Sequence, residues 1–235
     1  IYQTSTIVEY VPSIEEMRVI IANSLTLDQF IKLNNGNLVN IFSGNKDIDI
    51  SKYTETIFYK KVIKKNPAQV IKTVEAFENF VSFIKDDESI IDHTYLWDII
   101  SNENNIFKNK IINKGINLVI LEIKNEDLTE NVNILCPINR FSTSFFDDNK
   151  LTFLVIKNDE YYEPIYIVTD KKKYLKEEKL IDFKNKNILP ELKKSLFFIK
   201  KNLKKCKPIQ DNPLSYKFKN NIPAEEIKNI VVSYN

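Results

Sequence analysis

The hydrophobic residues of this chain change their spacing along the sequence, and that change limits the folds open to it. Up to about residue 101 they recur every three or four positions, as at Val70, Val74 and Phe77, which is typical of amphipathic helices. Between residues 116 and 168 they alternate instead, which is typical of β-strands. The sequence therefore predicts an α+β fold with a central, antiparallel-rich sheet flanked by helices.

Individual elements follow from the same spacing and from turn and cap residues. Helices are expected over 12–24, 25–36, 67–84, 88–101 and 188–207, and strands over 37–42, 56–65, 116–124, 131–136, 151–157 and 161–168. Phe77 and Phe80 lie on the apolar stripe of one helix and are expected to be buried. Pro164 lacks a backbone donor, so its strand is expected to lie at a sheet edge or to carry a bulge. Residues 170–179 are predicted to be a charged surface segment.

At 235 residues the chain is long enough for one large domain or two small ones. Residues 1–110 are expected to form a mainly helical N-terminal part, and residues 111–235 a sheet-containing part with a basic helix. The two parts are expected to make one compact unit. Because the sequence does not begin with Met, that unit is expected to be cut from a longer polypeptide.

Several classes of enzyme lack their usual motifs here. There is no GxSxG, HExxH, P-loop or GxGxxG motif, and three glycines leave little for a loop that cradles phosphate. No cofactor is expected, and the absences favour a non-enzymatic role. His93 is the only histidine, so any histidine-dependent mechanism would use it. A nucleophilic pair of Cys136 with His93 is left open as an alternative.

The two cysteines, Cys136 and Cys206, are 70 residues apart and form no CxxC motif. That spacing suits a reducing compartment and argues against a zinc module. Cys136 follows an apolar run and is expected to be a small buried residue. No apolar run approaches the roughly 18 residues of a membrane span, and no contact with membranes is expected.

The most suggestive motif for catalysis is the triplet Glu122-Ile123-Lys124 at the end of a predicted strand. Residues two apart share one face of a strand, so Glu122 and Lys124 would project together, as in PD-(D/E)xK nucleases. Such a site also needs an Asp on a neighbouring strand, and the candidate Asp98 lies in a segment with helical spacing. The nuclease interpretation is kept as an alternative, active or decayed, without an assigned catalytic or metal-binding residue.

Local positive charge is highest in residues 188–208, where seven lysines accompany one acid, Glu191. This segment carries +6 in a chain of net charge +2, so the remainder sums to −4. An apolar stripe predicts that one side packs on the core and the other presents lysines. The candidates for nucleic-acid binding are Lys193, Lys194, Lys200, Lys201, Lys204 and Lys205. Without arginine the contacts would reach phosphates rather than base edges, and a solvated lysine face is the alternative.

Four blocks of the sequence carry a resemblance to a known group. They are "FIKLNNGNLVNIF" (30–42), "FENFVSFIKDDESIIDHTYLWDIIS" (77–101), "GINLVILEIKNEDLTENVNILCP" (115–137) and "YYEPIYIV" (161–168). They resemble segments of large, uncharacterised polypeptides of nucleocytoplasmic large DNA viruses, the giant-virus group. A relation to the large subunit of the viral early transcription factor is a further expectation. The resemblance lies in the general sequence of these segments and not in a motif of known chemistry, so it implies no catalytic residue.

The resemblance implies a role in viral transcription, replication or virion assembly. We therefore expect a non-enzymatic module of a larger viral protein. Its expected partners are other segments of a larger polypeptide or complex, and sequence-independent nucleic acid. The alternatives are the nuclease-like domain and a structural or scaffold domain of the virion. The expected location is intracellular, in the host cytoplasm, the viral factory or the virion.

Overall fold

The computed structural model describes residues 11–44, 47–103, 106, 114–123, 132–136, 146–170, 175–178, 180–182, 190–203 and 206. The chain divides into two units, Ile1–Ile91 and Asp92–Asn235. The described part of the first unit is helical, and the second contains all the described strands. The helix expected over 88–101 begins at His93 and therefore belongs to the sheet-containing unit.

The first unit is built from five described α-helices: α1 (Ile14–Ser24), α2 (Leu27–Phe30), α3 (Leu38–Phe42), α4 (Ile57–Val62) and α5 (Pro67–Lys85). A left-handed turn lies at Leu33–Gly36, and a single turn of 3-10 helix lies at Ser51–Tyr53. The other four helices pack against α5. Polar residues define where they begin: Ser13 caps α1, Thr26 caps α2 and Asn66 caps α5.

The core of this unit is a cluster of aromatic rings on α5. Phe77 and Phe80 are buried, which confirms the expectation for both residues. Phe30 contacts them with ring centroids 5.4 and 5.5 Å away, and Phe42 approaches Phe80 at 5.0 Å. Contacts at these distances add to the hydrophobic gain of burying large side chains, so α5 is the element on which the other helices depend.

Two predicted strands of this unit are helices. Residues 37–42 form α3, which follows a left-handed turn at Asn34 and Asn35, with φ of 46° and 56°. Residues 56–65 contain α4, whose first two N–H groups donate to the distant carboxylate of Asp28. An apolar run this short does not distinguish helix from strand, even though Thr56 is a local N-cap of α4.

The second unit contains seven strands among the described residues: β1 (Asn117–Ile123), β2 (Asn133–Ile134), β3 (Thr152–Asn158), β4 (Tyr161–Ile165), β5 (Ile167–Asp170), β6 (Leu175–Glu178) and β7 (Leu180–Ile181). The main sheet has the order β2-β1-β3-β4, and β7 also pairs with β3. The β1–β3 pair is parallel, whereas its other pairs are antiparallel. Together with its helices, this sheet confirms the predicted α+β class.

Helices α6 (His93–Ser101) and α7 (Pro190–Leu203) cover opposite faces of this sheet. On one face, Trp97 of α6 packs with Leu118 and Ile120. The other face of β1, with Val119 and Leu121, packs against α7. The α7 contact residues are the buried Leu192, Leu196, Ile199 and Leu203, which confirms that stripe as predicted. Alternating β1 residues thus supply both halves of the core.

The strand predicted over 161–168 is interrupted at Tyr166, where β4 ends before β5 begins. Pro164 lies in β4, the last strand of the path, as predicted from its missing N–H. The segment 170–179, predicted to be a charged surface segment, contains β6 in its second half, which pairs with β5. Pairing between neighbouring strands outweighs the low β-propensity of Lys and Glu here.

A disulfide joins Cys136, just after β2, to Cys206, just after α7, with Cα atoms 5.5 Å apart. Both residues are buried in the core between the sheet and α7, so the expected burial of Cys136 is confirmed. The bond differs from the unpaired cysteines of a reducing compartment, because disulfides persist mainly in oxidising environments. Sequence separation hides a pair that comes together only after the sheet and α7 have packed.

A search of the described residues finds no helix with the length and apolar character that crossing a membrane requires.

Reducing the Cys136–Cys206 bond is expected to lower the free energy of unfolding of the second unit. The bond closes a loop across a sequence separation of 70 residues, and loops of that size correspond to about 4 kcal/mol of unfolded-state entropy. Urea denaturation with and without dithiothreitol measures the difference. The Cys136→Ser, Cys206→Ser variant is the control, because it should show the reduced stability and no response to dithiothreitol. Equal stability of oxidised and reduced wild type would contradict this expectation.

Candidate functional site

Three polar residues form a row across the main sheet on the face covered by α6. The register pairs Glu122 of β1 with Lys157 of β3, and Lys157 with Tyr162 of β4. Side chains of paired residues project to the same side of a sheet. Buried hydrophobic residues precede Glu122 along β1, so the row lies where the apolar core ends and polar side chains begin.

His93, the first residue of α6, completes this group, which we call the Glu122 cluster: Glu122, Lys157, Tyr162 and His93. The Lys157 ammonium lies 3.1 Å from Oε1 of Glu122, and both side chains are less than one-fifth exposed. Nδ1 of His93 lies 2.8 Å from the hydroxyl of Tyr162. The His93 ring also meets Trp97 edge-on, with centroids 5.9 Å apart. An ion pair and a hydroxyl–imidazole pair are thus held side by side.

Helix capping fixes where His93 lies. Asp92 is the N-cap of α6, and its carboxylate accepts a hydrogen bond of 2.9 Å from the N–H of Thr94. Trp97, one turn after His93, anchors the helix in the apolar part of the same sheet face. The imidazole is therefore positioned by a cap on one side and by core packing on the other.

Burial controls the protonation of the hydroxyl–imidazole pair. Desolvation lowers the pKa of His93, with Lys157 acting in the same direction and Asp92 opposing it. Burial also raises the pKa of Tyr162 to about 12. At neutral pH Tyr162 therefore keeps its proton and can donate it to Nδ1 of a neutral His93, which then carries its own proton on Nε2.

Because the pKa of Tyr162 is raised to about 12 and that of His93 is lowered, the proton stays on the tyrosine oxygen, and the pair is a hydrogen bond that orients the imidazole. Glu122 is not a free base in the same group, because its charge is balanced by Lys157. A charge-balanced, partly buried pair fixes the geometry around the imidazole more than it attracts a ligand. The chemistry that the cluster offers is thus centred on His93.

The nuclease candidates are not brought together in the described residues. Glu122 pairs with Lys157 of the neighbouring strand, and Lys124 lies outside the described residues. Asp98 is buried on α6, one residue after Trp97, and therefore about 100° around the helix from the side that meets the sheet. Among the residues that the structure describes, no group of three or more His, Cys, Asp or Glu side chains is arranged to hold a metal ion.

The lysine candidates divide into three kinds. Lys193, Lys194 and Lys201 are exposed on α7, and we call these three the α7 lysine face. Lys200 is half-buried instead, where its ammonium pairs with Asp148 and lies 5.9 Å from the ring centroid of Phe146. The remaining candidates, Lys204 and Lys205, lie outside the described residues.

Sequence reasoning missed Lys157 and the pairing of Tyr162 with His93. Both depend on the register of β1, β3 and β4, and a parallel pair such as β1–β3 leaves no turn from which to read its register. The β3–β4 hairpin did leave a signal, because its two-residue connection at Asp159 and Glu160 aligns Lys157 with Tyr162.

Comparison of the chain with protein-family models, with curated proteins and with solved structures finds no match. The resemblance to giant-virus polypeptides therefore stays a prediction.

Acidification is expected to destabilise the protein through His93. Its pKa in the folded state is lowered by burial, so the unfolded chain binds this proton first, near pH 6.5. The stability that neutral His93 contributes is present above about pH 6.5 and is lost as pH falls through the lower folded pKa. Urea denaturation between about pH 5 and 8 measures this loss.

The control is His93→Phe, which keeps an aromatic ring beside Trp97 and removes the titration. Since His93 is the only histidine, its NMR resonance also gives the pKa directly. The Tyr162→Phe variant should raise that pKa, because it removes a hydrogen bond to the neutral imidazole. A folded-state pKa at or above that of an unfolded peptide would contradict the assignment.

The protein is expected to leave DNA uncut in the presence of Mg²⁺ or Mn²⁺. The Glu122 carboxylate is engaged by Lys157, and Asp98 belongs to a helix instead of a neighbouring strand. Incubation with single- and double-stranded DNA, followed by gel electrophoresis, measures cleavage. Metal-dependent cleavage that disappears in Glu122→Ala and in Lys124→Ala would contradict this prediction.

Proposed function

We propose that this chain is a non-enzymatic module of a larger viral protein, which binds partner chains and contacts nucleic acid through the α7 lysine face. The observation that carries the proposal is the exposure of Lys193, Lys194 and Lys201 on a helix whose other side is buried. None of the three forms an ion pair with a residue that the structure describes. Their charges are thus available to phosphate groups.

The geometry of α7 supports contact with a polyanion. Leu192, Leu196 and Ile199 hold one side of the helix against the sheet, so binding needs no rearrangement of the backbone. Phosphates neutralised by lysines release condensed counterions, which makes such binding sensitive to salt. Lysine offers a point charge without the planar fork of arginine, so the contact would not distinguish one base sequence from another.

Two other functions from the sequence remain as alternatives. A metal-dependent nuclease-like domain, active or decayed, would use Glu122 and Lys124, of which Glu122 pairs with Lys157 and Lys124 lies outside the described residues. A virion scaffold would use apolar contacts between chains. Salt-sensitive binding without cleavage supports the binding module over both.

The proposed location is the virion. Of the three intracellular sites expected from the sequence, the virion is the one where a disulfide such as Cys136–Cys206 persists. Mass spectrometry of protein whose free thiols are blocked at lysis would test the redox state. Blocked, unpaired cysteines in freshly produced protein would favour the cytoplasm or the viral factory instead.

Replacing the α7 lysine face by glutamine (Lys193→Gln, Lys194→Gln, Lys201→Gln) is expected to weaken binding to duplex DNA. Each phosphate contact contributes about 0.9 to the slope of log K against log salt, so losing three should reduce the slope by about 2.7. Fluorescence anisotropy with a labelled duplex between about 50 and 200 mM salt measures both affinity and slope.

The matched control is Lys32→Gln, Lys85→Gln, Lys114→Gln, which removes three exposed lysines elsewhere and changes the net charge equally. A second comparison uses neighbours on α7: Lys201→Gln should weaken binding more than Lys200→Gln, because Lys200 already pairs with Asp148. Equal binding by wild type and the α7 triple variant would exclude this face as the site.

A further inference from the structure

A second concentration of positive charge lies in the first unit, around α4. Residues 56–72 contain five lysines and no acidic residue. The α7 helix, Pro190–Leu203, contains four lysines and one glutamate. The segment around α4 therefore carries a net charge of +5, close to the +6 of residues 188–208, although the chain outside residues 188–208 sums to −4. Average charge over a long segment conceals a local patch of this kind.

The helical conformation of α4 is what brings four of these lysines to one side. In a strand, Lys60 and Lys64 would project from one face and Lys61 and Lys65 from the other. The helix places residues four apart in the same row, and one more turn continues past Val62, whose carbonyl accepts from the N–H groups of Lys65 and Asn66. The two rows are adjacent, so the charges form a single patch. We call Lys60, Lys61, Lys64 and Lys65 the α4 lysine patch.

Contacts from distant residues hold α4 in place. The carboxylate of Asp28 accepts hydrogen bonds from the N–H groups of Ile57 and Phe58, at 3.0 and 2.7 Å. Thr56 caps the same helix, with its hydroxyl accepting from the N–H of Tyr59 at 3.3 Å. The helix also packs on α5. The lysines therefore project from a fixed backbone, and binding orders side chains alone.

Most of the positive charge of the α4 lysine patch is not balanced by an acidic side chain of the described residues. All four lysines are exposed. Lys60 pairs with Glu55, at 2.6 Å between Nζ and Oε2, whereas Lys61, Lys64 and Lys65 form no ion pair with a described residue. Side chains that carry like charge so close together repel one another, and an anion with several charges relieves that repulsion.

We infer that the α4 lysine patch is a second binding surface for nucleic acid, which contacts successive phosphates of the backbone. The inference rests on the proposed function for its class of ligand, which is nucleic acid. The lysines that it concerns are different ones, and they lie in the first unit. The adjacent rows of lysines suit a ligand with regularly repeated charges. A membrane surface suits the patch less, because Ile57 is the one exposed large hydrophobic side chain on α4, and interfacial helices need a broad apolar face.

The test compares the wild-type chain of 235 residues with two triple variants and their combination. One variant carries Lys61→Gln, Lys64→Gln and Lys65→Gln, and the other removes the α7 lysine face. Anisotropy with a labelled duplex at about 50 mM salt should show at least a tenfold loss of affinity for the α4 variant, and its salt slope should fall by about 2.7. The Lys32, Lys85, Lys114 variant controls for net charge, and thermal unfolding followed by circular dichroism controls for folding.

Two further variants define the chemistry of the contact. Lys61→Arg, Lys64→Arg, Lys65→Arg keeps the charge and should keep the binding. Ile57→Ser removes the exposed apolar side chain and should also leave DNA binding unchanged. Sedimentation with vesicles of phosphatidylserine and phosphatidylcholine tests the membrane alternative with the same proteins.

The outcomes separate this inference from the proposed function. Loss of binding in the α4 variant supports the inference, whatever the α7 variant does. Unchanged binding in the α4 variant, or no binding by wild type at low salt, overturns it. Stronger binding to the vesicles than to the duplex, lost in Ile57→Ser, overturns it in favour of a membrane surface. Loss in the α7 variant alone supports the proposed function and overturns the inference.

Discussion

The second unit depends on the parallel pairing of β1 with β3. These two strands lie in the middle of the sheet, and alternate residues of β1 pack against α6 on one face and α7 on the other. Burial on both faces leaves little freedom for the register, because a shift of one residue would exchange the two halves of the core. The same register aligns Glu122 with Lys157, so the polar cluster is a consequence of how the apolar residues pack.

Patterns that extend over many residues could be predicted from the sequence. The stripe of α5, the alternation in β1 and β3, and the stripe of α7 each repeat often enough to identify the element and its buried side. Pro164 at the sheet edge was also predictable, because a missing N–H excludes it from a central position. Each of these features is encoded by the residues that form it.

The features that sequence reasoning missed depend on residues far apart. The first N–H groups of helix α4 donate to the distant Asp28, the cluster needs the register between β1 and β3, and the disulfide needs α7 packed beside β2. The error at α4 had a further effect, because a strand would have divided its lysines between two faces. Because α4 was predicted to be a strand, the α4 lysine patch was not recognised, and α7 was the one positively charged surface that the sequence predicted.

Pro164 has a consequence for how copies of this protein meet one another. A strand at the end of a sheet offers its free backbone groups to any extended chain, which is a common route to fibres and swapped dimers. Proline takes one donor away from that edge in β4, and the chain leaves the sheet soon afterwards at Tyr166. A strand from another chain would therefore have few backbone groups of β4 with which to form hydrogen bonds. Association through this edge is therefore disfavoured.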